Sequence, residues 1–334
     1  MDSHVHLVIS AHNDEECEEE FVRLSKESHE IVVGTRPKDW ARILDIHKTN
    51  SSLMTGLITG SVGLHPWFVL ETLVGNSNGT WLATLQSLLE QNLTLQVGEI
   101  GLDKIWSPPE HLKIQYRYED QVQVFRQQLT LAGNLKRRVS VHCVKAHTQM
   151  LDILSNEPNK SSPPLIYLHS WSGSSEITRQ FLKSRVLKKR LYFGVSASVN
   201  LRGILAFSYD NHADCSKCLT RTYCWHMVDN DTKPLTNSES SQSMRLWKNH
   251  QGEIESHPWR ASKKWEKFCT MIRLVPPQRL LLESDMPGFK GNLQARKESI
   301  DLIAFVVSDS LNVEVQDLLK MCKSNLERFQ KPIL

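Results

Sequence analysis

The chain has 334 residues, with 40 Lys and Arg against 37 Asp and Glu and a formal net charge of +3. This length suits one large α/β barrel or two smaller domains. The weak charge excludes the global basic field of proteins that bind chromatin or membrane surfaces, and no apolar run reaches the length of a membrane span. Seven cysteines and the lack of a visible signal peptide predict a cytoplasmic or nuclear protein.

Short apolar segments alternate along the chain with segments of helical periodicity. Strands are predicted at residues 1–7, 30–35, 57–67, 95–103, 138–143, 163–170, 190–196 and 279–287. Helices are predicted near residues 40–47, 81–91, 119–135, 146–154, 175–183, 299–308 and 315–329. Because strand–helix alternation implies parallel strands, these units predict an α/β fold. We expect a single (β/α)8 TIM barrel over residues 1–334.

The first strand carries His4 and His6, two positions apart. Residues i and i+2 of a strand point to the same face, so the two imidazoles project side by side and can reach one metal ion. A His pair of this kind is weak evidence alone, since histidines are also common on surfaces. It becomes strong only where later strands supply further ligands.

Polar side chains also lie at or near the ends of four later strands. Glu99 follows an apolar run, where a buried charge needs either an ion pair with an Arg or a metal ion. The candidate ligands are His4, His6, Glu99, His142, His169 and Asp285. In a TIM barrel the carboxyl ends of the strands form the face where chemistry occurs. A single His at a strand end is more often structural, but five agreeing strands predict one shared site.

Four histidines and two carboxylates suit one or two divalent ions, and Mg, Mn and Zn all accept such a donor set. Glu99, opposite the His pair, is the natural bridge between two ions about 3.5–4 Å apart, an arrangement used for phosphoester and amide hydrolysis. Asp285 could both touch a metal and accept the proton of the attacking water. We therefore expect Asp285 and Glu99 to be the catalytic carboxylates.

An insertion of about residues 201–264 separates the last two predicted strands and is too long for a simple connection. It contains Cys215, Cys218, Cys224 and His226, which are soft ligands that could hold zinc. Their spacing matches no common zinc finger, so unpaired cysteines remain the alternative interpretation.

Six motifs, in order, resemble those of the TatD family of metal-dependent deoxyribonucleases in the amidohydrolase superfamily. They are residues 2–7 (DSHVHL), 63–66 (GLHP), 98–103 (GEIGLD), 141–143 (VHC), 169–173 (HSWSG) and 282–287 (LESDMP). The resemblance implies a TIM barrel of the metal-dependent hydrolase type, with a divalent-metal site formed by the six candidate ligands. It implies that His65 contacts substrate phosphate. It also implies hydrolysis of DNA phosphodiesters, often 3′–5′ on single strands. The long insertion is more similar to eukaryotic, particularly fungal, members.

The sequence departs from the family pattern after the fifth strand, where the family usually has an Arg that can meet phosphate. Here Val144 fills that position and Lys145 follows. Lys offers a point charge where Arg offers two parallel donors. We expect Lys145 to substitute in part, alongside further phosphate or stacking contacts from Trp171 and Arg202, with Trp171 equally consistent with core packing.

The leading hypothesis is a metal-dependent phosphodiesterase that acts on single-stranded DNA or strand ends, since a charge of +3 suits contact with only a few phosphates. A second hypothesis keeps the site but changes the bond to a small-molecule amide or ester. A third is a barrel that acts mainly by binding a protein partner through the insertion.

Overall fold

The computed structural model describes residues 1–6, 30–52, 58–75, 80–156, 162–202, 262–287 and 293–331. In these residues nine parallel strands form one sheet, in the order β8-β7-β6-β5-β4-β3-β2-β1-β9. The strands are β1 Asp2–His6, β2 Glu30–Gly34, β3 Ile58–Val62, β4 Gln96–Asp103, β5 Val139–Val144, β6 Ile166–Leu168, β7 Leu191–Ser196, β8 Leu280–Glu283 and β9 Met286–Pro287.

Helices separate most of these strands along the chain. They are α1 Pro37–Ser52, α2 Val69–Gly75, α3 Thr80–Gln91, α4 Tyr118–Asn134, α5 His147–Asn156, α6 Ser175–Lys183, α7 Ala197–Asn200, α8 Lys263–Ile272, α9 Leu293–Leu311 and α10 Val315–Gln330. Short 3-10 turns occur at Pro66–Phe68, Glu110–Gln115 and Pro277–Arg279. Among the residues described, no helix combines the length and the apolar character that a membrane crossing needs.

The barrel closes where the first strand meets the last. β9 continues from β8 after two residues and pairs with β1, and side chains complete the seam between β1 and β8. Ser3 Oγ donates to the carbonyl oxygen of Leu282 at 2.8 Å, and the Ser284 amide donates to Asp2 Oδ1 at 3.0 Å. The eight-stranded parallel barrel predicted from the sequence is therefore confirmed.

One end of the barrel interior is filled by apolar side chains. Phe329 of α10 is fully buried and packs edge-on against Tyr167 and Tyr192, with ring centroids 5.8 and 5.1 Å apart. Ile31 and Leu281 belong to the same buried cluster. With this end sealed by hydrophobic contacts, the inward-facing polar residues lie at the carboxyl ends of the strands.

Several elements differ from the expectations, and the helices α2 and α7 were not predicted. β3 ends at Val62 rather than at residue 67, although His65 N still donates to the carbonyl oxygen of Thr35 at 2.9 Å. β6 has only three residues. α8 begins inside the predicted insertion of about residues 201–264, where Ser262 caps the helix N-terminus by accepting from the Trp265 amide.

Arg296 of α9 ties the barrel seam to the helical layer. Its Nη2 lies 3.2 Å from Asp2 Oδ2 and 3.1 Å from Glu30 Oε1, and all three side chains are buried. Burial raises the pKa of Asp2 above its ordinary value even though the Arg296 guanidinium lowers it. The cation is therefore needed to hold a charge at Asp2.

We expect Arg296→Met to lower the free energy of unfolding by about 3 kcal/mol at pH 8, because a buried carboxylate then loses its cation. Without Arg296 the pKa of Asp2 rises further in the folded state, so the folded variant binds a proton that the unfolded chain releases. Linkage then makes the difference from wild type shrink as the pH falls from 8 toward 5. Urea denaturation at both pH values measures this difference.

The matched control is Arg179→Met, which removes an exposed guanidinium 3.6 Å from Glu176 on α6. Exposed pairs contribute little, so we expect a change of at most about 0.5 kcal/mol. Equal losses in the two variants at pH 8 would contradict the role given to Arg296.

Candidate metal centre

The structure brings all six predicted ligands together at one end of the barrel. His4 and His6 come from β1, Glu99 from β4 and His142 from β5, while His169 and Asp285 lie just beyond β6 and β8. His4, Glu99 and His169 are buried, and the other three are partly buried. The convergence expected from the strand ends is therefore present in the fold.

Glu99 is the centre of this cluster. Its Oε2 lies 3.2 Å from His4 Nε2 and 3.4 Å from His6 Nε2. Its Oε1 faces a second set of imidazoles, with separations of 2.8 Å to His142 Nδ1, 2.9 Å to His169 Nε2 and 3.4 Å to His65 Nε2. The two oxygens of one carboxylate thus serve two different groups of nitrogen donors.

Glu99 lies in the middle of β4 rather than at its end. The register of β4 against β5 shifts between Val97 and Ile100, which brackets this residue. Its inward position therefore depends on an irregularity of the strand, which the apolar run in the sequence did not indicate.

Asp285 closes the cluster from the side of β8. Its Oδ1 lies 3.4 Å from His6 Nε2, and its Oδ2 accepts a hydrogen bond from Ser170 Oγ at 3.3 Å. The residue has φ of 54°, a left-handed conformation that Asp and Asn adopt more readily than most residues. This turn between β8 and β9 directs the carboxylate toward the β1 histidines.

His65 lies inside the cluster, three residues beyond the end of β3, and its ring is buried. Its Nδ1 accepts a hydrogen bond from the Trp67 amide at 3.2 Å, so the neutral ring carries its proton on Nε2, which faces Glu99. Burial, outweighing the attraction of Glu99, lowers the pKa of His65 to about 4. The ring is therefore a neutral N–H donor near neutral pH.

The other predicted substrate contacts are distributed differently. Lys145 is exposed directly after β5. Burial, and after it the charge of Lys145, lowers the pKa of the nearby His147. Arg202 is exposed after α7. Trp171 is buried in the core, donates from Nε1 to Thr178 Oγ1 at 2.9 Å and packs on two Phe rings, so it offers no stacking surface.

Two carboxylates beside the cluster were not predicted. Glu283 is fully buried, with Oε1 3.2 Å from His169 Nδ1, and it accepts a hydrogen bond from Ser170 Oγ at 2.6 Å. Asp103 lies with Oδ2 3.5 Å from His142 Nε2. Both end apolar strands, so the reasoning that identified Glu99 as a buried charge needing a partner applies to them as well.

The charges of the cluster depend on each other. Burial raises the pKa of the Glu99 carboxyl, but the imidazoles of His169, His65 and His4 outweigh burial and hold that pKa well below its ordinary value. Burial lowers the pKa of His169, while the carboxylates of Glu99 and Glu283 raise it far above its usual range. Burial and His169 together lower the pKa of His4. An anionic Glu99 is thus the stable state.

The donor set fits divalent cations. His Nε2 atoms of β1 and a Glu99 oxygen lie close enough to share one ion, as do groups built on His142 and on His169. Nε2 of His142 is buried and, apart from the 3.5 Å separation from Asp103 Oδ2, makes no hydrogen bond within the described residues. Mixed imidazole and carboxylate donors suit Zn²⁺, Mn²⁺ and Mg²⁺, so these His/Glu clusters could hold a divalent ion.

A sequence profile described as TatD related DNase matches residues 1–206, which is more than half of the chain. The chain belongs to this TatD family. Cut9-interacting protein scn1 of Schizosaccharomyces pombe is 26% identical over 52% of this chain and 72% of its own length. An uncharacterized deoxyribonuclease of Saccharomyces cerevisiae is 24% identical over 60% and 75%. The 3′-5′ ssDNA/RNA exonuclease TatD of Erwinia amylovora is 33% identical over 43% and 49%.

Solved structures support the same fold. The TatD homologue YjjV of Escherichia coli superposes with a TM-score of 0.60 and 20% identity, covering 100% of this chain and 98% of YjjV. A TatD family hydrolase of Entamoeba histolytica gives a TM-score of 0.60 at 13% identity, with 100% and 99% covered. The predicted TatD membership, including its fungal relatives, is confirmed, and so is the assignment to the metal-dependent hydrolases of ester bonds.

The insertion stays a prediction for most of its length. Only residues 201–202 and 262–264 of it belong to the described part of the chain. Cys215, Cys218, Cys224 and His226 lie outside the described residues, so their binding of zinc is untested.

Proposed function

We propose that this TatD family member hydrolyses phosphodiester bonds of DNA at the ends of single strands, removing nucleotides in the 3′–5′ direction with two divalent ions. The observation that carries the proposal is the position of Glu99, whose two oxygens face two separate sets of imidazoles. The names of its bacterial relatives as 3′-5′ ssDNA/RNA exonucleases support the substrate and polarity.

The residues that would hold the ions are His4, His6, Glu99, His142, His169 and Asp285. Glu99 is the one carboxylate of the set that contacts both groups of histidines, which supports its role as the bridge. Divalent ions in such a site polarise a phosphoryl oxygen and lower the pKa of water. Mg²⁺, Mn²⁺ and Zn²⁺ remain the candidate ions.

The surrounding side chains have separate tasks in this proposal. Asp285, whose pKa is held well below its ordinary value by His169 and His6 despite burial, is an anion at the mouth of the site and accepts the proton of the attacking water. His65 donates its Nε2–H to a phosphate oxygen. Lys145, exposed on the rim, adds a positive charge for a neighbouring phosphate.

The test is purification followed by measurement of bound metal and digestion of 3′- and 5′-labelled oligonucleotides. We expect the chelated protein to be inactive and Mg²⁺, Mn²⁺ or Zn²⁺ to restore stepwise loss of the 3′ label from single strands. A panel of amides, lactones and carboxylic esters is assayed in parallel. Hydrolysis of a panel member without cleavage of any oligonucleotide would replace the phosphodiesterase proposal by the small-molecule alternative.

A second role is favoured by one comparison. The fission yeast relative is named as a protein that interacts with Cut9, so we propose that residues 201–264 of this single-domain barrel present a surface for a protein partner. A pull-down in which deletion of this insertion removes the partner and leaves hydrolysis unchanged would support that role.

We also propose that the protein works in a reducing compartment, either the cytoplasm or the nucleus. Cys143 and Cys322 are buried free thiols, and burial raises the pKa of each to about 12, which keeps them protonated. Imaging of a tagged full-length chain tests the location.

A further inference from the structure

Trp67 is an exposed aromatic residue beside the metal centre. It follows His65 and Pro66 in the 3-10 turn at the carboxyl end of β3, and 46% of its surface is exposed. Its ring centroid lies 5.1 Å from that of His65 and 6.2 Å from that of His142. In the described part of the chain, no other Trp, Tyr or Phe is as open to solvent.

The indole is held in place although it is exposed. Its Nε1 donates a hydrogen bond to Asp103 Oδ2 at 2.7 Å, and its ring stands perpendicular to His65 at 87°. Asp103 is itself fixed, because its Oδ1 accepts from the amides of Ile105 and Trp106, each at 3.0 Å. A large apolar surface that is already ordered loses little conformational entropy when a ligand packs on it.

The neighbouring aromatic residues are covered by other groups. The guanidinium of Arg36 lies 4.6 Å from the centroid of Phe68, and Trp106 packs edge-on against Tyr116 at 5.3 Å. Ile105, whose amide donates to Asp103, is also exposed, at 68%. A flat indole that is both ordered and exposed offers a surface on which a flat ring can pack.

We propose that Trp67 is the stacking platform for a nucleobase of the substrate, next to the phosphate held at the metal centre. The assignment rests on the proposed phosphodiesterase function. In a nucleotide the base is separated from its phosphate by one sugar, and the Trp67 ring lies at a comparable distance from the rings of His65 and His142. Stacking tolerates every base, so the subsite selects unpaired nucleotides without reading their sequence.

The test compares Trp67→Leu and Trp67→Phe with wild type on two single-stranded oligonucleotides. One carries normal bases, and the other carries abasic tetrahydrofuran residues at three positions of each end. On the normal strand we expect Trp67→Leu to raise KM roughly tenfold, with a smaller effect on kcat, and Trp67→Phe to restore most of the affinity. On the abasic strand we expect wild type and Trp67→Leu to have equal KM values, since no base is left to stack.

Leu93→Ala is the control, because Leu93 is 74% exposed and precedes β4, at the opposite end of the barrel. It should leave both KM values unchanged. An equal rise in KM on normal and abasic strands would overturn stacking and leave Trp67 a structural residue, and so would an unchanged KM for Trp67→Leu. A wild-type protein inert on every oligonucleotide would instead refute the phosphodiesterase function from which the subsite follows.

Discussion

Glu99→Gln is expected to lower the rate of DNA hydrolysis roughly a thousandfold or more and to abolish tight binding of divalent ions. The substitution keeps the shape of the side chain but replaces two anionic oxygens by a neutral amide at the point where five imidazoles converge. Several kcal/mol of transition-state stabilisation are at stake in a site of this kind. Single-turnover kinetics and calorimetric titration with Mn²⁺ measure the two effects separately.

The loss should not reflect unfolding. Burial disfavours a charge at Glu99, whereas the imidazoles of His169, His65 and His4 favour it. The amide loses that attraction together with the desolvation cost and keeps the size of the side chain, so we expect an unchanged far-UV circular dichroism spectrum. Glu176→Gln removes an exposed carboxylate on α6 and should retain full activity. Glu99→Gln protein that binds two Mn²⁺ ions as tightly as wild type would refute the bridging role.

Asp285→Asn is expected to reduce hydrolysis about a thousandfold with the fold intact, which is within the range usual for loss of a positioned general base. The residue has φ of 54°, and Asn tolerates the left-handed region about as well as Asp, so the turn between β8 and β9 is preserved. The amide keeps a hydrogen-bond acceptor for Ser170 but no longer accepts the proton of water.

Asp317→Asn is the matched control, because Asp317 is exposed on α10 and pairs only with a surface lysine 3.4 Å away in the contacts described. We expect wild-type activity for it. Asp285→Asn protein that degrades single-stranded DNA at the wild-type rate would show that neither proton transfer nor metal binding depends on this carboxylate.

Much of the barrel and most of the cluster follow from local sequence patterns. The spacing of His4 and His6 places both side chains on one strand face without any knowledge of tertiary structure. The amphipathic stripe of α4 buries Phe125 and Leu129, as the helical spacing of its apolar residues predicts. His142 and His169 also follow from the position of each residue at the end of an apolar run. These features depend on the periodicity of single elements.

Other features depend on contacts that no single element specifies. Glu283 and Asp103 were missed because each matters through a histidine that is distant in the sequence. Glu283 contacts His169, more than a hundred positions away, and Asp103 contacts His142, about forty positions away. The prediction for Trp171 left two outcomes open, and only packing against Phe181 and Phe193 decides between them. α8 was missed although Trp265, Phe268 and Ile272 follow a helical spacing, because it adjoins the polar insertion.

The seam between β1 and β8 has a consequence for how the site comes into being. His4 and His6 belong to the first strand, while Asp285 follows the eighth, and these strands meet only when Asp2 and Ser3 bind the chain near Leu282 and Ser284. A chain still emerging from the ribosome holds the imidazole pair but lacks the carboxylate that completes it. Completion of the ligand set therefore requires barrel closure, and a truncated product that ends before β8 would lack the Asp285 carboxylate.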